Sequence, residues 1–189
     1  MNEKLTSERD ETSIRLTLEG DREAFGQLVR KYQDRLFNGM VQILRSEPEA
    51  EDVVQEAFVL ALTKLESFQG KSQFYTWLYR IAYNLSITRL RRKKPTVSME
   101  IGEDASLEFE GDLPAPGEQM MREEQAKQLM QALDRMSTEH RSILVLREME
   151  NMDYSEIADV LDLPVGTVRS RLHRARIQLR ELLELTMDE

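Results

Sequence analysis

Five arginines, Arg169, Arg171, Arg174, Arg176 and Arg180, fall between Val165 and Arg180 with no acid among them, in a chain of 189 residues whose formal net charge is −9. Guanidinium groups at this density suit two tasks, clamping phosphates and reading the acceptor edge of guanine. A second basic run, Arg89, Arg91, Arg92, Lys93 and Lys94, follows a stretch where six of the twelve aromatic residues (Phe68, Phe74, Tyr75, Trp77, Tyr79, Tyr83) lie within sixteen positions. Rings interleaved with cations suit unpaired nucleic acid, because bases stack on the rings while phosphates meet the charges. The loop S-F-Q-G-K-S-Q-F, with Gly70 for freedom and polar atoms around it, could hold an extruded base. Catalysis is poorly provided for. There are two histidines, His140 and His173, no cysteine, no glycine-rich phosphate loop and no zinc-ligand pair, so no catalytic residue, metal or cofactor is expected.

The elements that position these groups follow from periodicity. On a helix of 3.6 residues per turn, Val168, Leu172, Ala175 and Leu179 form one apolar stripe, which a preceding helix can cover with Ile157 and Leu161. Ser170, His173 and Arg174 then lie opposite the stripe, with Arg169, Arg176 and Arg180 on one flank and Arg171 and Gln178 on the other. Ala158 allows close approach of the two helices, Leu163 plugs the turn, and Pro164 suits the first turn of the second helix. A helix seated in a DNA major groove has this arrangement. The plainer alternative, a solvated basic helix on a bundle, leaves the coincidence of arginines, turn and stripe unexplained.

The rest of the chain is helical in pattern, giving an all-α fold. Residues up to about Ser13 are polar and expected to fray. Asp21 is a candidate N-cap for a long helix carrying Phe25, Leu28, Val29, Tyr32, Leu36, Met40, Ile43 and Leu44. After the break at S-E-P-E-A comes a second apolar series, Val54, Ala57, Phe58, Ala61, Leu62 and Leu65. Its other face opens with Glu49, Glu51, Asp52, Gln55 and Glu56, which either complement the helix dipole or form a docking face for a basic helical partner. In the aromatic segment Phe74, Trp77, Leu78, Ile81, Ala82 and Leu85 make a core stripe, from which Tyr79, Arg80, Tyr83 and Asn84 spread away. Pro95 to Met121 holds seven acids and no base, an aperiodic stretch expected to be an extended, flexible tether. Periodicity then resumes at Leu129, Ala132, Leu133 and Met136, and at Ile143, Leu144, Leu146 and Met149, with Ser137 or Thr138 as cap. The expected organisation is two small helical domains, 14–94 and 119–185, joined by an acidic flexible linker at 95–118. No apolar run approaches a membrane span and no cleavable leader is present, so no membrane insertion and a cytoplasmic location are expected.

Three segments, E-D-V-V-Q-E-A-F at 51–58, F-Y-T-W-L-Y-R-I-A-Y-N at 74–84 and Y-S-E-I-A-D-V-L-D-L-P-V-G-T-V-R-S-R-L-H-R-A-R at 154–176, resemble in order and separation the extracytoplasmic-function (ECF) sigma factors of bacterial RNA polymerase. The resemblance implies that Asp52, Gln55 and Glu56 contact the clamp helices of the largest polymerase subunit. It assigns the minus-ten promoter element to Phe68, Trp77, Tyr79, Arg80 and Asn84. The minus-thirty-five element falls to Thr167, Arg169, Ser170, His173 and Arg174, with Arg171 and Arg176 on phosphates. The implied partners are core polymerase, including its beta flap, promoter DNA, and an anti-sigma factor of the kind common in the family. Where the family often has glycine before the helix-turn-helix, this chain has Asn151, which also tolerates a left-handed backbone. A stand-alone helix-turn-helix repressor would use only the second domain and leave the aromatic-basic helix without a task. With the domains on a loose tether, the free protein is expected to bind promoter DNA weakly, for want of a fixed spacing between its two reading surfaces.

Overall fold

The computed structural model describes residues 2–92 and 116–187. The acidic linker expected at 95–118 therefore lies outside the described residues, except that 116–118 already belong to a helix. Among the described residues all regular elements are helical: α1 (Asn2–Leu18), α2 (Arg22–Leu44), α3 (Glu47–Thr63), a short 3-10 turn (Leu65–Ser67), α4 (Phe74–Arg92), α5 (Pro116–Arg135), α6 (Thr138–Leu144), a π turn (Val145–Met149), α7 (Tyr154–Leu161) and α8 (Val165–Met187).

In the N-terminal domain α2, α3 and α4 pack around Leu28, Leu36, Met40, Val53, Ala57 and Leu78. Asp21 caps α2 by accepting the backbone N–H groups of Glu23 and Ala24, an arrangement worth about 1 kcal/mol. The helix closes with Arg45 in the left-handed region at φ 58°. The expectation of a frayed start is not met, since α1 packs on α2 and buries Ser13 and Ile14. Its anchor is Asp10, whose carboxylate accepts both the Tyr32 hydroxyl and the Lys31 ammonium. A polar composition concealed this because the contact that orders α1 is itself polar.

In the C-terminal domain α5 and α6 pack on α8. Ser137 caps α6 through the His140 N–H. The chain then widens into the π turn, closed by the Glu150 N–H donating to the Val145 carbonyl at 3.0 Å, and Asn151 follows at φ 55°. A left-handed residue straight after a widened turn reverses the chain sharply, and Asp153 can then cap α7 with a complete capping box.

The two domains are packed directly against one another, α2 on α6 and α4 on α7, and their apolar cores are continuous. This replaces the picture of two domains held only by a loose tether. Glu150 is the centre of the contact. It is 5% exposed. Its Oε2 accepts Arg35 Nε at 2.8 Å and the Tyr75 hydroxyl at 2.9 Å, and its backbone carbonyl accepts Arg35 Nη2 at 2.6 Å. The Arg35 guanidinium also lies 4.2 Å from the Tyr75 ring centroid. To one side Arg141, 7% exposed, donates to the Ile43 carbonyl at 3.1 Å, and Arg45 pairs with Asp134. Gly39 makes the approach possible. A Cβ there would stand 2.7 Å from Glu150 Oε1 and 2.8 Å from the Tyr79 hydroxyl oxygen.

Two consequences can be measured. Gly39→Ala should improve α2 in isolation yet disfavour the closed arrangement by about 1–3 kcal/mol, so small-angle X-ray scattering should show a larger radius of gyration without loss of helical circular dichroism. Burial pushes the Glu150 carboxyl above its ordinary 4.5, against the pull of Arg35 and Tyr75. The closed form therefore holds this proton more tightly than the open form. The Glu150 contribution to closure is full below 4.5 and falls away as pH rises through the raised value. The radius should accordingly grow with rising pH in that window for the wild type, and this component should vanish in Glu150→Gln.

Candidate nucleic-acid interface

The helix-turn-helix is assembled as its sequence requires. Ile157, Val160, Val168, Leu172 and Ala175 of the packed pair α7 and α8 are buried, as is Ala158 at 9% exposure. Asp162 ends α7 in the left-handed region at φ 54°, Leu163 packs against the core, and the Pro164 carbonyl accepts the N–H groups of Thr167 and Val168. Pro164 thus stands just ahead of α8, at its cap. On the outer face Arg169, Ser170, His173 and Arg174 are exposed and Thr167 is half-buried. Arg174 Nε donates to the Ser170 carbonyl at 3.3 Å, which folds the guanidinium along the helix. The assigned phosphate contacts divide. Arg176 is exposed and held by Glu148 at 2.6 Å. Arg171 is 23% exposed and 3.5 Å from Glu139 of α6, turned toward the body of the chain and away from the reading face; the flank position read from the helical wheel is one that the packing of α6 covers.

The loop before α4 and the first turns of that helix form an open pocket of rings and cations, lined among others by Phe68, Lys71, Thr76, Trp77 and Arg80. Phe68, Phe74 and Trp77 cluster, with Phe68 edge-on to Phe74 and Trp77 tilted against both, the Phe68 and Trp77 ring centroids 5.2 Å apart. Gly70 turns the loop at φ 66° with open space around it. Arg80 and Asn84 are exposed, and Phe68 and Trp77 each keep one part of the ring at the surface. Tyr79 is a correction. It is fully buried, edge-on to Tyr75 at 5.9 Å and against Gly39. The pattern that set it apart from the Phe74–Leu85 stripe reflects a second buried face of α4, the one covered by the C-terminal domain. Burial accordingly raises the hydroxyl pKa of both Tyr75 and Tyr79.

On α3 the side chains of Asp52, Gln55 and Glu56 are exposed together. Arg89 of α4 forks between the two acids, 3.1 Å from Asp52 and 3.0 Å from Glu56. The same side of α3 exposes Val59 at 64% and Leu62 at 43%. Leu62, a member of the apolar series read from the sequence, and Val59, which stands outside that series, both extend the acidic face with apolar surface, which a helix needing only dipole compensation would not require. The signal was present in the sequence as Val59 standing outside the 54–65 core series. Among the described residues no group of acids and histidines is placed to hold a metal ion, and no helix is long and apolar enough to cross a membrane.

Comparison with known proteins fits this geometry. Residues 28–96 match the Sigma-70 region 2 family and residues 126–179 match Sigma-70, region 4. The chain is 40% identical over 192 residues to the RNA polymerase sigma-H factor of Pseudomonas aeruginosa, covering 98% of this chain and 99% of that protein. It is 37% identical over 182 residues to the ECF RNA polymerase sigma-E factor of Escherichia coli, covering 93% of each. Among solved structures it resembles CnrH, determined in complex with the cytosolic domain of CnrY, with a TM-score of 0.66 and 28% identity over 94% of this chain and 98% of that one. Two helical domains, a helix-turn-helix in the second and relatives matching from end to end place the chain in one family: it belongs to the ECF sigma factors, which direct bacterial RNA polymerase to promoters.

Proposed function

We propose that the two domains divide promoter engagement between them along the surfaces just described. The N-terminal domain, 14–94, docks on the clamp helices of core polymerase through Asp52, Gln55 and Glu56, with Val59 and Leu62 as the apolar part of that contact. Its loop and α4 take the minus-ten strand. Phe68 and Trp77 stack on bases, while Arg80 and Asn84 meet the backbone and polar edges. Tyr79 has no part in this contact while it is buried. The C-terminal domain, 119–185, reads the minus-thirty-five duplex through Thr167, Arg169, Ser170, His173 and Arg174, with Arg176 on a phosphate, and meets the beta flap. The acidic linker, 95–118, spans the two. The chain acts in the cytoplasm, without catalytic chemistry of its own. An anti-sigma protein able to grip both domains, as a counterpart to CnrY in its complex with CnrH, is a further partner in this proposal.

One observation carries the reading: an exposed ring pocket flanked by Lys71 and Arg80 occurs in the same chain as an exposed basic helix of a helix-turn-helix. A repressor needs only the second. Pull-down of core polymerase should be lost with Asp52→Arg and weakened with Gln55→Ala, whereas an unaltered yield from both would refute the docking assignment. In holoenzyme, Arg174→Ala should cost about 1–3 kcal/mol of discrimination at one upstream base pair, visible as a flattened response to base substitutions there and not as a uniform loss of affinity.

A further inference from the structure

The basic run that opens at Arg89 reads in the sequence as a surface for nucleic acid, together with the rings that precede it. The packing of α4 divides that run. Nine positions separate Arg89 from Arg80, about two and a half helical turns, so the two side chains leave α4 on opposite sides. Arg80 lines the ring pocket, and Arg91 and Arg92 are exposed. Arg89 instead turns to α3 and keeps only 29% of its side chain exposed. There it meets Asp52 and Glu56, whose side chains are 66% and 47% exposed.

Two carboxylates four residues apart on one helix face repel one another. A guanidinium answers this with geometry as well as charge, because its donors are fixed in one planar fork. Arg89 Nη1 donates to Asp52 Oδ2 at 3.1 Å, and Nη2 donates to Glu56 Oε2 at 3.0 Å. One oxygen of each acid is thus engaged from the α4 side, and both acids stand further out than the cation that joins them. We infer that Arg89 is a positioning residue of the α3 docking face: it draws Asp52 and Glu56 together from behind and leaves Asp52 Oδ1 and Glu56 Oε1 to accept donors of the polymerase. This inference rests on the docking role proposed for those two acids. It runs against simple charge, since a cation set into an acidic face weakens the attraction of that face for a basic partner. Ordering works the other way: acids already held in one geometry spare the complex a cost that binding would otherwise carry.

The test is the kinetics with which the full chain binds immobilised core polymerase. Arg89→Gln makes the docking face more acidic, so charge alone predicts tighter binding. Positioning predicts the reverse. Arg30→Gln, which removes an exposed cation of α2, is the reference with the same change in net charge. Relative to it, Arg89→Gln should dissociate about two- to fivefold faster, with an association rate that is no lower. Arg89→Lys, which keeps the charge but not the fork, should also dissociate faster than wild type. In an Asp52→Asn/Glu56→Gln background, adding Arg89→Gln should cost no further affinity, because Arg89 acts through those acids; a merely architectural role would add its own loss there. The inference is overturned by dissociation of Arg89→Gln no faster than the reference, by wild-type dissociation of Arg89→Lys, or by a further loss in the acid-substituted background. If Asp52→Asn/Glu56→Gln binds core polymerase as wild type does, the docking assignment itself fails, and the positioning role with it.

Discussion

A carboxylate taken out of water is costly unless it is paired and hydrogen-bonded on every side, and Glu150 is both buried and shared between domains. Its position comes from one domain, through the π turn and the left-handed Asn151. Its partners come from the other, through Arg35 and Tyr75. Neither domain alone satisfies the group, and in the closed chain Arg35 and Tyr75 offset only part of the desolvation cost, so the carboxyl is held above its ordinary pKa. Opening is therefore not a loss of all Glu150 contacts but an exchange of protein partners for solvent. That makes the contact a specific fastening of modest net strength.

Closure changes what each surface means. The reading face of α8 and the acid-apolar face of α3 remain exposed, while the ring pocket is overhung by α7 and Tyr79 is sealed beneath the C-terminal domain. A loose tether makes a free sigma factor a weak DNA binder by leaving its two reading surfaces at variable spacing. In the closed chain the α8 face and the ring pocket stand at one fixed spacing, with Asp159 of α7 in the pocket wall.

Much of this was legible in the residues. Local rules sufficed for the helices, for the caps at Asp21 and Ser137, for the helix-turn-helix stripe and for the left-handed Asn151, because each depends on neighbours within a turn or two. What escaped was long-range. Glu150 stands in a polar loop, E-N-M-D, and nothing local distinguishes a buried acid there from a solvated one. Tyr79 stood apart from the core stripe of α4 because the helix has two buried faces, and a single-stripe reading assigns the second to solvent. One clue was available. Gly39 interrupts a helix interior, where glycine costs about 1 kcal/mol relative to alanine, and such a residue calls for a close neighbour; only the fold identifies that neighbour as Glu150 and Tyr79.

The closed free chain is tested most directly by a distance. The sequence has no cysteine, so Gln27→Cys/Glu181→Cys places a spin label on an exposed site of α2 and another on an exposed site of α8 without competing thiols. Double electron–electron resonance on the free protein should give one narrow distance distribution, which shifts to longer values when core polymerase and promoter DNA are added. A broad distribution in the free protein, unaltered by introducing Gly39→Ala, would show that the domains are not fastened and would contradict the closed arrangement.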